Sequence, residues 1–392
     1  MINACEDIKA KRRINKQNDA PEIDDRTFEI ALQNCRLQTP DISVEAAESV
    51  LGDMVLALET DADTILTLYS RSKGKPPILC CSIQENSQSN GFWTQLKDSD
   101  IWIAAFKIQN LRQSMLSFLI IGEDMDMLKY RGPEAPAAPD FYGLEVETLK
   151  GELVSTELYS PELGETRKLR TYLPPDHKPD ADWPLLLMAD GDSIDYTARL
   201  IEPLIIEGKI PPIIVVGLLS GQDGIVEDRS DLDLSSDLRS ADYLPNFDKK
   251  APERFGQHMT FVTERVLDWA EDTHGAGRND ADRIVTGKSN GGTFSLHAAF
   301  LHPNLFQGAI SMSPGIGALK DVESAPDNAA TFWLSGGTLE PYFLRSAENS
   351  AATLKSAGYK VFLKTYYAGH APDQWDQALA ERLPDAFPVP EL

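Results

Sequence analysis

Histidine and cysteine are both scarce in this chain of 392 residues, with six of the first and four of the second. Basic residues are scarce too: 37 Lys and Arg face 61 Asp and Glu, a formal net charge of −24. No run of about 18 consecutive apolar residues occurs, so no membrane-spanning helix is expected. The nearest approach, LIEPLIIEGKIPPIIVVGLL, is broken by Glu202, Glu207, Lys209 and three prolines. There is also no GxxxxGK phosphate-binding loop and no internal repeat.

Each shortage excludes something. Cys5, Cys35, Cys80 and Cys81 all lie in the first 81 residues with no zinc spacing. They read as reduced, buried small hydrophobes rather than as a disulfide framework. The acid surplus repels nucleic acid and anionic membranes. It is concentrated late, since residues 1–130 carry a net of −6 and the remainder −18. MINACEDIKAKRRINKQND has no apolar core behind its charges, so it does not read as a secretory signal, and a cytoplasmic location is expected. Neither a metal nor an organic cofactor is expected, and a homo-oligomer is left open.

Two patterns divide what is present. Residues 1–25 are polar and charged and read as a mobile tail. Across 26–130, the short runs MVLALET, TILTLYS, PPILCCSI, DIWIAAFKI and MLSFLIIG are separated by polar segments. That spacing predicts an all-β sandwich. Residues 131–141, with Pro133, Pro136 and Pro139, read as a stiff linker. From 142 to 392 apolar runs such as PLLLMA and PPIIVVGLL alternate with helical stretches such as FGQHMTFVTERVLDWAEDTH. The expected fold is a mostly parallel sheet covered by helices on both faces, preceded by the sandwich.

Within that half, GKSNGG occupies residues 287–292. Gly-x-Ser-x-Gly arises by chance in roughly one chain in eight of this length, so context must decide its meaning. Asp282 to Thr286 is a short β-branched run leading in, and Thr293 to His302 is an apolar helical stretch stopped by Pro303. A strand, a GxSxG turn and a helix form a nucleophile elbow. Gly287, Gly291 and Gly292 let the backbone turn tightly, and Ser289 projects beside the positive helix start.

A serine hydroxyl needs a histidine base, and that base needs an orienting carboxylate. His177, His258 and His274 precede Ser289, and His297 and His302 lie in the helix that leaves it. His370, in YYAGHAPDQW, follows a later strand and fits the order serine, acid, histidine. Of Asp321, Glu323, Asp327, Glu340 and Glu348, Glu340 alone lies just past the strand TFWLSG. Oxyanion donors are expected from the N–H of Asn290 and from Gly191 or Asp192, in the loop after PLLLMA.

The GKSNGG unit, HPNLFQGAISMSPG, LRSADYLP, and the late GTLEP and AGH segments resemble enterochelin (enterobactin) esterases and the wider esterase D-type α/β-hydrolases. TQLKDSDIWIAAFKIQNLRQSMLSFLI is similar to the β-sandwich that precedes the hydrolase in that family. The resemblance implies an α/β hydrolase fold and serine esterase chemistry through Ser289, Glu340 and His370. It also implies that Arg239, Asp242 and Tyr243 shape the mouth of the site. The chain departs from the family where His370-Ala371-Pro372 replaces a His-Asp-Trp-like segment. Residues 222–248 carry a net charge of −6, which opposes a highly anionic ferric siderophore. The expected partner is a small-molecule ester. An acyltransferase using the same triad and a non-catalytic binding protein on a hydrolase fold remain the alternatives.

Overall fold

A computed structural model describes residues 34–61, 63–81, 93–121, 125–139, 148–220, 237–247, 252–279, 282–315, 319 and 322–389. The expected tail and most of the acidic loop after residue 220 lie outside the described residues. The chain forms two compact units. The first is Met1–Ala137 together with Gly336–Arg345 and Thr365–Gln374. The second is Ala138–Ser335, Ser346–Lys364 and Trp375–Leu392.

In the first unit, β1 (Cys35–Arg36), β2 (Leu56–Asp61), β3 (Ile65–Arg71), β5 (Thr94–Gln95) and β6 (Ile101–Lys107) make one antiparallel sheet. A second antiparallel sheet holds β4 (Ile78–Cys81), β7 (Met115–Ile121) and β8 (Met125–Arg131). Leu66, Leu68 and Phe106 from the first sheet and Leu116 and Phe118 from the second share one apolar core. The sandwich is not all-β. Helix α1 (Val44–Leu51) is capped by Ser43, which accepts the Ala46 N–H. It buries Ala47 and Leu51 against Tyr69, Ile101 and Ile103 on the opposite face of the first sheet. Both faces of that sheet are therefore covered, which explains why β3 buries five residues in a row rather than alternating. Cys35 is disulfide-bonded, not the reduced thiol expected.

The second unit is built on an eight-stranded sheet. Its strands are β9 (Glu152–Ser160), β10 (Glu165–Leu173), β11 (Leu185–Ala189), β12 (Ile214–Leu218), β13 (Arg283–Lys288), β14 (Gly308–Met312), β15 (Thr331–Gly337) and β16 (Val361–Tyr366). They lie in the order β16-β15-β14-β13-β11-β12-β10-β9. The run from β12 through β11, β13 and β14 to β15 is parallel, and β9 and β10 add an antiparallel edge. The helices are α2 (Ile194–Ile206), α3 (Leu238–Tyr243), α4 (Arg254–Phe261), α5 (Leu267–His274), α6 (Asn290–Leu301), α7 (Pro341–Ser356) and α8 (Pro372–Ala386). A π-helical turn, Val262–Val266, joins α4 to α5. Every residue of β11, β12 and β14 is buried, as continuous apolar runs covered on both faces require. Among the described residues no helix is long and apolar enough to cross a membrane.

Candidate active site

Strand β13 runs directly into Ser289, and α6 starts one residue later. The Ser289 backbone sits at φ 56° and ψ −127°. Such a conformation costs a residue with a Cβ about 1–3 kcal/mol and is found at functional turns. The surrounding glycines make the turn sterically feasible. A Cβ on Gly287 would lie 2.2 Å from the Gly291 carbonyl oxygen, and one on Gly292 would lie 2.6 Å from that of Met312. One on Gly291 would meet Ala189 Cβ at 2.9 Å and Asp190 Oδ2 at 3.0 Å. The turn is fastened by the Ser289 N–H donating to Met312 O at 2.9 Å and by the Gly315 N–H donating to Ser289 O at 3.2 Å. The Ser289 hydroxyl does not cap α6. The first N–H groups of that helix, starting with Asn290, have no acceptor within the helix.

The loop after β11 packs on this turn. Asp190 adopts the left-handed conformation at φ 59°, and Gly191–Ser193 forms a single 3₁₀ turn. Gly191 is buried so closely against β12 that a Cβ there would lie 2.4 Å from the Gly217 carbonyl carbon. Asp192 is exposed, and its carbonyl accepts from Arg170 at 3.3 Å.

Short helix α3 fastens both segments. Asp237 caps it through the Ser240 N–H, and Asp237 Oδ2 also accepts from Ser240 Oγ at 2.6 Å. Arg239 donates from Nε and Nη2 to the two carboxylate oxygens of Asp190 at 2.6 and 2.7 Å. Burial works against the Arg239 charge, but the Asp190 carboxylate overrides it and raises the guanidinium pKa. The Asp190 N–H donates to Tyr243 Oη at 3.0 Å, and the Tyr243 hydroxyl donates to Leu218 O at 3.3 Å. Asn290 Nδ2 donates to Ser240 Oγ at 2.8 Å. Asp190 and Ser240 were not among the residues expected from sequence, because their partners lie about 50 positions away along the chain.

Two expectations need correction here. Asp242 and Tyr243 are fully buried and do not line a site mouth. The Asp242 carboxylate is held by Arg167 and Arg254, each at 2.7 Å, and both arginines also reach Glu165. Tyr243 supports Asp190 from beneath. Arg239 is partly exposed but committed to Asp190.

In the first unit, Glu340 and His370 form a pair. Glu340 is fully buried; its Oε1 accepts the Gly337 N–H at 2.6 Å and its Oε2 meets His370 Nδ1 at 2.6 Å. A carboxylate at Nδ1 accepts a hydrogen bond from the Nδ1–H, which fixes the tautomer with Nε2 as the unprotonated nitrogen of the ring. Phe343 stacks on the imidazole with centroids 3.9 Å apart and planes inclined by 28°. Gly337 allows the two loops to meet, since a Cβ there would lie 2.2 Å from Ala368 O. By contrast, His258 in α4 is enclosed by Tyr243, Phe261 and Phe294, with no hydrogen-bond partner at either nitrogen among the described residues. Burial lowers its pKa to about 4. Among the described residues no cluster of three or more His, Cys, Asp or Glu could hold a metal ion.

Ser289 follows β13, Glu340 follows β15 and His370 follows β16, all strands of one sheet. With the elbow at Ser289, that sheet defines an α/β hydrolase. The Esterase family profile matches residues 160–386, more than half of the chain, and the chain belongs to that family.

Solved structures extend the likeness in fold to the first unit. The enterobactin esterase of Shigella flexneri, in the presence of enterobactin, aligns with a TM-score of 0.62 at 16% identity. That alignment covers 88% of this chain and 98% of that one. The ferric enterobactin esterase of Salmonella typhimurium aligns with a TM-score of 0.59 at 14% identity, over 84% of this chain and 95% of that one. Among curated proteins, the uncharacterized protein YjcH of Bacillus subtilis is 25% identical over 167 residues. That match covers 42% of this chain and 62% of YjcH, so the chain spans less than two thirds of that relative's length.

Proposed function

We propose that this esterase works through a covalent acyl-enzyme, with Ser289 as nucleophile, His370 as general base and Glu340 as the carboxylate that orients the base. His370 Nε2 takes the Ser289 Oγ proton as Oγ attacks the ester carbonyl carbon. The negative charge on the carbonyl oxygen is met by the Asn290 N–H and by an N–H of Gly191 or Asp192. The tetrahedral intermediate collapses as the imidazolium returns the proton to the leaving alkoxide, and the alcohol departs. Water, deprotonated by His370, then attacks the acyl-serine and regenerates Ser289.

The observation that carries this reading is the Ser289 backbone, held at φ 56° and ψ −127° between β13 and α6. A bystander serine gains nothing from such strain. The 2.6 Å bond between Glu340 and His370 supports the assignment of base and orienter. The proposed substrate is a small carboxylic ester. Siderophore esters are the first to screen, because the Shigella flexneri enzyme was crystallised in the presence of enterobactin. The acid surplus favours iron-free, weakly charged esters over polyanionic complexes.

Intact-mass measurement after treatment with a fluorophosphonate tests the nucleophile. One adduct on the wild type, mapped to Ser289 and absent from Ser289→Ala, is expected. Ester turnover retained by folded Ser289→Ala would refute the assignment.

A further inference from the structure

The segments that carry the proposed acid and base belong to the same compact unit as the N-terminal sandwich. Three attachments make them part of it. Leu339, the residue before Glu340, is 1% exposed and completes the sandwich core with Leu66, Leu68, Phe106, Leu116 and Phe118. Asn34, itself buried, donates from Nδ2 to Thr338 O at 3.0 Å and accepts the Gln109 N–H at Oδ1 at 3.1 Å. The Met115 N–H at the start of β7 donates to Tyr367 O at 2.9 Å, and Met115 bridges in parallel to Ala368, two residues before His370.

The two loops are also tied to each other. The Thr338 N–H donates to Tyr366 O and the Leu339 N–H donates to Ala368 O, both at 2.9 Å. The acid is thus held by a side chain seated in the sandwich core and by an amide from Asn34. The base is held by a backbone bond from β7. Catalytic groups need placement to well under an ångström, and loops supply that only when something rigid supports them.

We propose that the N-terminal sandwich is a positioning frame for the Glu340–His370 pair, acting through Leu339, Asn34 and Met115. This rests on the triad reading above. None of the three is a catalytic residue. Each acts by fixing where the carboxylate and the imidazole stand.

The test uses the full chain with p-nitrophenyl acetate as substrate, far below each variant's unfolding temperature. The variants are Leu339→Ala, Leu339→Met, Asn34→Ala and Tyr69→Phe. The last removes a hydroxyl bound to Glu59 elsewhere in the same unit. The downfield proton NMR resonance of the Glu340–His370 hydrogen bond is the second readout.

Leu339→Ala and Asn34→Ala are expected to lower kcat about 10- to 100-fold, with KM changed by less than about twofold. Both should shift or broaden the resonance. Leu339→Met should recover most of the rate, and Tyr69→Phe should match wild type in both readouts. Full kcat and an unaltered resonance in Leu339→Ala and Asn34→Ala, whatever their melting temperatures, would overturn the frame. Separately, full kcat in Glu340→Gln together with no such resonance in the wild type would overturn the triad reading beneath it.

Discussion

Arg239 and Asp190 meet side on, with Nε on one carboxylate oxygen at 2.6 Å and Nη2 on the other at 2.7 Å. The contact locks the loop that carries Gly191 and Asp192 to helix α3, whose Ser240 in turn holds Asn290. Both proposed sources of oxyanion donors therefore depend on one short helix. Lysine cannot reproduce the planar two-pronged contact. Arg239→Lys is expected to lower kcat about tenfold through misplacement of the donors, with a smaller effect on KM. Steady-state kinetics on an aryl ester checks this, and a wild-type kcat would show that the fork does not position the loop.

Glu340→Gln keeps the shape of the side chain but presents an amide where a carboxylate met Nδ1. The imidazole is then free to take the wrong tautomer. A fall in kcat of about a thousand- to ten-thousand-fold is expected, with the fold retained by circular dichroism. A loss under tenfold would assign the orienting role elsewhere.

Gly287→Ala places a methyl group 2.2 Å from the Gly291 carbonyl oxygen, a backbone atom that cannot swing away. The elbow must open or the protein must bear the strain, at a cost of about 1–3 kcal/mol. Chemical denaturation should show the loss, and fluorophosphonate labelling of Ser289 should slow in parallel. Unchanged stability and labelling would mean the turn is looser than described.

His258 should make stability depend on pH. Burial holds its folded pKa at about 4, below the ordinary value of about 6.5. Between those values the unfolded chain binds a proton that the folded chain does not. The contribution is therefore complete above about pH 6.5 and is lost as pH falls toward 4, about 2 kcal/mol of it by pH 5. Replacing His258 with Phe, among the rings of Tyr243, Phe261 and Phe294, should flatten this dependence. Urea midpoints at pH 7 and pH 5 for both proteins measure it. The same drop in both would clear His258 of the effect.

Much of this was legible in the sequence because it is local. The strand before Ser289, the helix after it and the glycines around it occupy one short stretch, so their pattern was readable. The buried strands β11 and β12 announced themselves as unbroken apolar runs. Helix α1 is hard to read from sequence because SVEAAESVL stands among β-like runs and carries only the Ser43 N-cap to mark it. β8 has little sequence signal, because MDMLKYR mixes charged and apolar residues and abuts the prolines of the expected linker. The buried positions of Asp242 and Tyr243 could not be read, since what encloses them comes from residues as distant as Arg167. Nor could the attachment of Leu339 to the sandwich core, because a leucine between two loops carries no mark of its socket.

Leu339 also sets a timetable for synthesis. The sandwich strands leave the ribosome first, yet the core they enclose includes a side chain made some 200 residues after β8. Until then the nascent sandwich must wait with that socket unfilled. The unit as a whole also takes in Thr365–Gln374, at and beyond the end of β16, so it completes only when every strand of the second unit's sheet has been made.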